Sequence, residues 1–242
     1  MKKILLINSS PKLHNSYSRM LTGKFVNSWQ ETFTQYELIN RDIGTHPLPH
    51  LTDNSLEAFS SQTEISSGHE TRALSNLLIE ELKSSAVIVF GVPMYNFSIP
   101  ASMKSYFDYV ARSGVTFGYG EKGTQGYIKD KRVIVITTGG GLHHDTNRDF
   151  QAPYIKFFLN FIGLTDITFI RAHGLLLSPD SYQTNMAKAE KEIEEYISNH
   201  KNLGNDINKS LDAKLIERLF IVCNDKDRND CYLNNNPITS NL

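Results

Sequence analysis

Three short apolar runs constrain the fold of this chain more than any other feature of its sequence. Ile4–Ile7, Val87–Phe90 and Val133–Ile136 each consist of apolar residues alone. Successive side chains of a β-strand point to opposite faces of its sheet, so a continuously apolar strand is buried on both faces. Parallel sheets covered by helices on both faces have such strands. The runs therefore predict an α/β fold with these segments as its central strands.

Segments with helical spacing separate the predicted strands. Leu21, Phe25 and Trp29 recur at intervals of four residues, and the apolar residues between Leu74 and Leu82 form a similar stripe. Three more helices are predicted after Pro100, at Tyr154–Ile162 and at Met186–Ile197. The five predicted strands are Lys3–Asn8, Tyr36–Arg41, Ala86–Val92, Arg132–Thr138 and Asp166–Ala172.

This alternation of strands and helices predicts βαβ crossovers and a parallel sheet. With right-handed crossovers, the expected architecture is a flavodoxin-like, three-layer, doubly wound fold with strand order 2-1-3-4-5. Ligands then bind at the carboxyl ends of the first, third and fourth strands.

The chain is expected to contain one main domain and a carboxyl-terminal extension. Residues 1–200 carry the alternating pattern, whereas residues 201–242 offer one amphipathic helix and a polar, Asn-rich tail that is expected to be poorly ordered. Thr45–Gly68 is irregular and rich in polar residues, and is expected to be a surface excursion beside the site.

Charge and cysteine content favour a cytoplasmic protein that acts on small molecules. The formal net charge is -1, which gives no indication of a nucleic-acid or membrane-surface partner. The first apolar run stops at Asn8, short of the roughly 7 residues that the apolar region of a signal peptide needs. Cys223 and Cys231 both lie outside the periodic region.

The loop after the first strand is a candidate phosphate site. It contains Ser10, Ser16, Tyr17 and Ser18 directly before a predicted helix. A helix amino terminus presents unpaired N–H groups and a partial positive charge, so serines beside it are suited to a phosphate. Simple capping of the helix by Ser16 or Ser18 is the alternative. No GxGxxG or P-loop motif follows the strand, which argues against dinucleotide and triphosphate sites.

The loops after the third and fourth strands are suited to a flat ring. Pro93, Met94, Tyr95, Asn96 and Phe97 form a turn whose backbone N–H groups and side chains are suited to the edge of a ring, although an ordinary Pro-rich turn is the alternative.

Thr138, Gly139, Gly140 and Gly141 bring bare backbone to the same end of the sheet, where a merely flexible loop is the alternative. His143 and its neighbour lack a third ligand at suitable spacing, so no metal is expected. The three loops together match the parts of FMN, because the phosphate needs a helix terminus and the isoalloxazine needs flat, dry walls.

The same residues resemble the FMN-dependent NADH-azoreductases, also described as FMN-dependent NADH:quinone oxidoreductases. The resemblance runs from Lys3 to about Ile197. It is carried by Ser9–Ser10 with Ser16–Ser18, by Pro93–Phe97, by Ser105–Phe117 and by Phe161–Leu164.

The resemblance implies a homodimer with one FMN per subunit near the interface. Ser10 and Ser16–Ser18 would hold the phosphate, and Met94–Phe97 with Thr138–Gly141 would frame the ring. NADH would deliver a hydride to flavin N5, and a quinone or an azo compound would then be reduced by two electrons in a ping-pong scheme. The resemblance implies no catalytic acid or base, because the hydride chemistry belongs to the cofactor.

Further roles follow from the resemblance. His143 is a candidate for tuning the flavin from near N1 and O2, with simple solvent exposure as the alternative. Phe117, Tyr119 and Phe161 are candidate walls for flat substrates, although core packing is an equally good interpretation of Phe161. Gly118 and Gly139 depart from the family pattern, because relatives often carry arginine there, and contacts to a dinucleotide's phosphates or to an acidic substrate would then be weaker.

A flavodoxin-type electron carrier is the rival class, since it would bind FMN with the same loops and deliver single electrons to proteins. Such carriers tend to be strongly acidic, so the near-neutral charge favours an enzyme. A serine hydrolase is disfavoured, because no G-x-S-x-G elbow follows a strand.

Overall fold

The computed structural model describes residues 1–60, 69–121, 123–143 and 146–224, with residue 60 and residues 202–224 described by their backbone alone. The strands are β1 (Lys2–Asn8), β2 (Tyr36–Asp42), β3 (Val87–Pro93), β4 (Phe117–Gly120), β5 (Gly123–Gly126), β6 (Arg132–Thr138) and β7 (Asp166–Ala172). The helices are α1 (Tyr17–Thr32), α2 (Asp53–Ser60), α3 (His69–Ser84), α4 (Ala101–Val110), α5 (Gln151–Phe161) and α6 (Pro179–Asn224).

Five strands form a parallel sheet in the order β2-β1-β3-β6-β7. This is the predicted flavodoxin-like order, which is thereby confirmed. The register pairs Ile4 with Val87 and Ile88 with Val133, so the three apolar runs lie side by side at the centre. Every residue of β3 is buried.

Alternating residues of the central strands fill two cores, one on each face of the sheet. Leu5 and Ile7 pack with the buried residues of α3, α4 and α5. Ile4 and Leu6 pack with those of α1 and the amino-terminal half of α6. The strands are apolar throughout because both of their faces are covered.

Several elements differ from the expectations. Helix α2 lies within the irregular excursion, of which residues 61–68 fall outside the described part of the chain. An antiparallel hairpin, β4–β5, follows α4 and was not predicted. Its strands are four residues long and rich in glycine, so they lack the apolar alternation that identifies a strand.

Helix α6 begins seven residues before the predicted start at Met186, because Pro179 occupies its first turn and Ser178 caps it. The Ser178 Oγ accepts a hydrogen bond of 3.1 Å from the Ser181 N–H. The extension's predicted amphipathic helix lies within α6, and the predicted disordered tail lies mostly in residues 225–242, outside the described residues.

The chain divides into a compact unit from Met1 to Ile197 and a second unit that begins at Ser198. Among the described helices, none combines the length and the apolar character that a membrane crossing requires.

Candidate functional site

A cleft opens at the carboxyl ends of β1, β3 and β6, where the fold predicts a ligand site. The loops after these three strands supply most of its lining, and the loop after β7 supplies the rest. The lining residues are Ser10, Lys12, Asn15, Ser16, Tyr17, Pro93, Met94, Tyr95, Thr138, Gly139, Gly140, Leu175 and Leu176.

Three buried serine hydroxyls gather at the amino terminus of α1. Ser16 occupies the N-cap position, with φ -94° and ψ 110°, but its side chain makes no capping hydrogen bond. Its Oγ lies 2.9 Å from the Oγ of Ser10, to which it donates, and 3.3 Å from the Oγ of Ser18. The capping alternative therefore does not apply to Ser16. The first-turn N–H groups and the hydroxyls together form a site suited to an anion.

The loop before α1 is fixed to strand β3 and to helix α4. The Ser9 Oγ donates to the Gly91 carbonyl at 2.8 Å, and the Ser102 Oγ donates to the Ser9 carbonyl at 3.2 Å. Asn15 has a φ of 54°, a left-handed conformation that asparagine tolerates better than most residues. The loop's shape is thus set by long-range contacts as well as by its own sequence.

An ion pair beneath this loop was not foreseen from the sequence. The Arg19 Nη1 and Nη2 atoms donate to Asp42 Oδ2 and Oδ1 at 2.7 and 2.8 Å, and Nη2 also donates to the Ser10 carbonyl at 2.6 Å. Partial burial by itself raises the pKa of Asp42, but hydrogen bonds from Arg19 and Thr45 outweigh it and lower the pKa to about 2. The carboxylate is therefore ionised at any ordinary pH.

The Pro93–Phe97 turn holds an unusual backbone conformation. Asn96 and Phe97 have φ values of 49° and 68°, and paired 3.0 Å bonds between Tyr95 and Ser98 close the turn. A left-handed conformation is costly for a bulky residue such as Phe97, and such strain occurs mostly at ligand sites. Phe97 is 47% exposed, so no burial of its ring explains the strain.

Backbone hydrogen bonds join the glycine loop after β6 to the loop after β7. The N–H groups of Gly174, Leu175 and Leu176 donate to the carbonyls of Gly141, Gly139 and Gly140 at 3.0, 3.1 and 3.0 Å. A Cβ at Gly140 would lie 2.9 Å from the Leu176 Cδ1 atom, so the exposed Leu176 side chain packs against the bare backbone of this glycine.

Two histidines lie beside this loop. The His143 ring is half-buried and its centroid lies 5.3 Å from that of Phe97, so it links the second and third loops. His173 is buried behind the loop, with its Nε2 atom 3.1 Å from the Thr137 Oγ1. His173 was not predicted, although its position directly after the last strand was a signal for the site.

Phe117, Tyr119 and Phe161 form an aromatic cluster outside the cleft lining. The ring of Phe117 lies 4.4 Å from that of Phe161 and 5.8 Å from that of Tyr119, between centroids. Tyr119 is 77% exposed, whereas Phe117 is buried. A Cβ at Gly118 would lie 1.9 Å from the Tyr127 hydroxyl, so Tyr127 occupies the space of a side chain there.

Most of the predicted cofactor residues meet in the cleft. Of the others, Ser18 lies behind Ser16, while Asn96, Phe97, Gly141 and His143 continue the loops that line it. Sequence reasoning missed Leu175 and Leu176, which enter from the loop after β7. A ligand site at the carboxyl ends of parallel strands is lined by the loops that follow those strands. The position of Leu175 and Leu176 just after the last predicted strand was the signal that could have identified them.

Comparison with known proteins gives consistent matches. The model of a family described as having the flavodoxin-like fold matches residues 2–197. FMN-dependent NADH:quinone oxidoreductase 3 of Pseudomonas aeruginosa is 40% identical over 195 residues, covering 80% of this chain and 92% of that protein. An FMN-dependent NADH:quinone oxidoreductase of Sodalis glossinidius is 37% identical, covering 82% of this chain and all (100%) of its own.

A solved structure agrees with these relatives. The FMN-dependent NADH-azoreductase of Bacillus anthracis strain Ames Ancestor, crystallised in complex with FMN, superimposes with a TM-score of 0.75 at 26% identity. The match covers 83% of this chain and 100% of that structure.

Proposed function

This chain belongs to the FMN-dependent NADH:quinone oxidoreductases, a family with the flavodoxin-like fold, and from that premise we propose that it uses NADH to reduce quinones and aromatic azo compounds through FMN. The observation that carries the proposal is the cleft that joins the loops after β1, β3 and β6. One loop offers anion donors and the other two offer flat walls, which are the two requirements of FMN.

The residues of the cleft fit the phosphate of FMN. Ser10 and Ser16 present hydroxyls, Ser18 supports Ser16, and Tyr17 and its neighbours offer first-turn N–H groups. The Ser16 side chain makes no capping hydrogen bond at this end of α1. A phosphate would therefore satisfy donors that the helix leaves free, at the positive end of its dipole.

The ring of FMN would lie between two walls. Pro93, Met94, Tyr95, Asn96 and Phe97 would form one wall, whose backbone turns through the left-handed φ values of Asn96 and Phe97. Thr138, Gly139, Gly140 and Gly141 form the other, where bare backbone permits close approach. The Met94 N–H donates to the Thr138 carbonyl at 2.7 Å, so the two walls are tied together at their base.

FMN, when bound, would supply the redox chemistry, namely hydride transfer from NADH through N5 and two-electron reduction of the acceptor in a ping-pong scheme. The chain's task is then to bind, orient and exclude water, without a catalytic acid or base. Donor and acceptor are proposed from the names of the relatives, which include NADH:quinone oxidoreductases and an NADH-azoreductase.

We assign His143 a flavin-tuning role, because its contact with Phe97 places it at the junction of the two walls. A donor near N1 and O2 stabilises the anionic reduced ring, so His143→Ala should lower the midpoint potential of the bound flavin. An unchanged potential would leave His143 without this role.

Phe117, Tyr119 and Phe161 remain candidates for contacts with flat substrates. Tyr119 is the exposed member of their cluster, so a polar substitution there should change the ranking of quinone substrates. We also propose a homodimer with one FMN per subunit, in keeping with the sequence resemblance, and a cytoplasmic location, in keeping with the short first apolar run and the placement of the two cysteines.

The proposal is tested by steady-state kinetics of the FMN-loaded protein. NADH oxidation should require a quinone or azo acceptor, and double-reciprocal plots at several acceptor concentrations should be parallel. Intersecting plots would reject the ping-pong scheme, and an absence of turnover with either acceptor would reject the enzyme.

A further inference from the structure

The ion pair of Arg19 and Asp42 lies directly beneath the proposed phosphate loop. Its geometry is bidentate, with bonds of 2.7 and 2.8 Å, and its side chains are only 18% and 22% exposed. Bidentate pairs of arginine and carboxylate are stronger and more directional than single ionic contacts. The ion pair is therefore suited to hold the backbone that it contacts in one position.

Arg19 couples this pair to the loop itself. Its Nη2 atom donates to the Ser10 carbonyl at 2.6 Å, while Ser10 presents its hydroxyl to Ser16 on the other side. Ser10 thus joins the Arg19–Asp42 ion pair to the hydroxyls that are proposed to bind the phosphate. A carbonyl held by a guanidinium cannot rotate without breaking a charge-assisted hydrogen bond.

Asp42 fixes the same loop by a second route. Its Oδ1 atom accepts hydrogen bonds of 3.1 Å from the N–H groups of Gly44 and Thr45, which shapes the turn after β2. The Ser10 backbone rests against that turn so closely that a Cβ at Gly44 would lie 2.0 Å from the Ser10 carbonyl oxygen. Ser10 is thus held both by Arg19 and by the turn that Asp42 orders.

We propose that Arg19 and Asp42 are positioning residues that set the affinity for the phosphate of FMN by fixing the Ser10 backbone, an inference that rests on the proposed function. Neither side chain is among the residues that line the cleft. Their effect therefore passes through Ser10, and it concerns the phosphate rather than the ring.

The test compares FMN with riboflavin, which has the same ring and ribityl chain but no phosphate. Dissociation constants of both ligands are measured by flavin fluorescence titration of the apoprotein. Arg19→Gln should weaken FMN binding about tenfold or more, the size expected for a lost hydrogen bond to a charged group, and riboflavin binding by less than about twofold.

A matched control exists on the same strand. Arg41, the residue before Asp42, forms a partly buried, bidentate ion pair with Glu81 of α3. In the described part of the chain, these two side chains make no hydrogen bond to the loop between β1 and α1. Arg41→Gln should leave the ratio of the FMN and riboflavin affinities unchanged. If it lowers that ratio as much as Arg19→Gln does, the effect reflects a general loss of stability and the proposal is wrong.

Asp42→Asn separates positioning from simple charge attraction. If Arg19 acted only as a positive charge, removal of its counter-ion would tighten FMN binding. The positioning account requires weaker FMN binding, because an amide has a single acceptor oxygen: Oδ1 can still accept from the turn, but the bidentate pairing that holds the guanidinium is lost. Tighter or unchanged binding of FMN by Asp42→Asn would overturn the proposal.

Arg19→Lys keeps the positive charge but loses the planar guanidinium that makes the two parallel hydrogen bonds, so it should weaken FMN binding as much as Arg19→Gln does. The lysine variant also replaces Arg19→Gln in the comparison of FMN and riboflavin if the glutamine variant fails to fold. A wild-type protein that binds neither flavin would reject the proposed function itself, whereas normal FMN binding by all the Arg19 and Asp42 variants would reject only this inference.

Discussion

At the scale of single residues, Ser16 and Ser178 occupy equivalent positions before two helices and differ in what their hydroxyls contact. Ser178 caps α6 through the Ser181 N–H, whereas Ser16 turns its hydroxyl toward Ser10 and Ser18. The sequence predicts a cap or a phosphate ligand at Ser16 equally well. The choice depends on Ser10, which the fold brings beside it.

This contrast predicts opposite results for two serine-to-alanine changes. Ser16→Ala should weaken FMN binding about tenfold, because a phosphate hydrogen bond is lost, while the apoprotein loses less than about 1 kcal/mol of stability. Ser178→Ala should cost about 1 kcal/mol of stability and leave FMN binding unchanged. Urea denaturation and flavin titration measure both effects, and equal FMN affinities of the two variants would contradict the assignment of Ser16.

The low pKa of Asp42 predicts a pH dependence of stability. Since the pKa falls to about 2 on folding, ionised Asp42 stabilises the folded state above about pH 4, and the stabilisation is lost as the pH falls from about 4 to about 2. With a discount for partial exposure, it amounts to about 1 to 2 kcal/mol.

Asp42→Asn should therefore be less stable than the wild type at pH 7, and the difference should shrink as the pH approaches 2. Urea denaturation of both proteins across this range measures it. A difference that stays constant down to pH 2 would show that the ionised carboxylate is not the source.

At the scale of elements, the sequence predicts those whose apolar pattern is continuous. β1, β3 and β6 are apolar because helices cover both of their faces, and their positions agree with the predictions to within a residue. The hairpin β4–β5 and helix α2 are short, with strands of four residues and a helix of eight, so their sequences carry no comparable signal.

The candidate site likewise has parts that the sequence pattern predicts and parts that it does not. The loops after the central strands were predicted because the topology brings those strand ends together. The Arg19–Asp42 contact joins the first helix to an edge strand, and no local pattern indicates such a contact. The substrate walls at Phe117, Tyr119 and Phe161 stay predictions, since their cluster lies outside the cleft lining.

The strained turn after β3 gives a prediction at this scale. Phe97→Gly removes the cost of a left-handed φ at a bulky residue, so the apoprotein should gain up to about 1 kcal/mol of stability after the larger entropy of the unfolded glycine chain is counted. FMN binding should weaken, because one of the side chains of the proposed ring wall is lost. Calorimetry and flavin titration test the two halves, and a variant that is both less stable and normal in FMN binding would contradict this account of the strain.

At the scale of the whole molecule, the unit from Met1 to Ile197 is a parallel sheet whose two cores fix the strands and leave their carboxyl ends free to form the cleft. The phosphate loop, the turn and the glycine loop lie far apart in sequence and meet only because of the order β2-β1-β3-β6-β7. The proposed function depends on this meeting, since no single loop is suited to both the phosphate and the ring of FMN.

The most direct test of the central claim is anaerobic mixing of the FMN-loaded protein with NADH in a stopped-flow spectrophotometer, with no other protein present. The account predicts that the absorbance of the oxidised flavin bleaches in a single two-electron step, and that a quinone added afterwards restores it. A flavin that NADH leaves oxidised, but that dithionite reduces, would instead indicate an electron carrier and contradict the proposed enzyme.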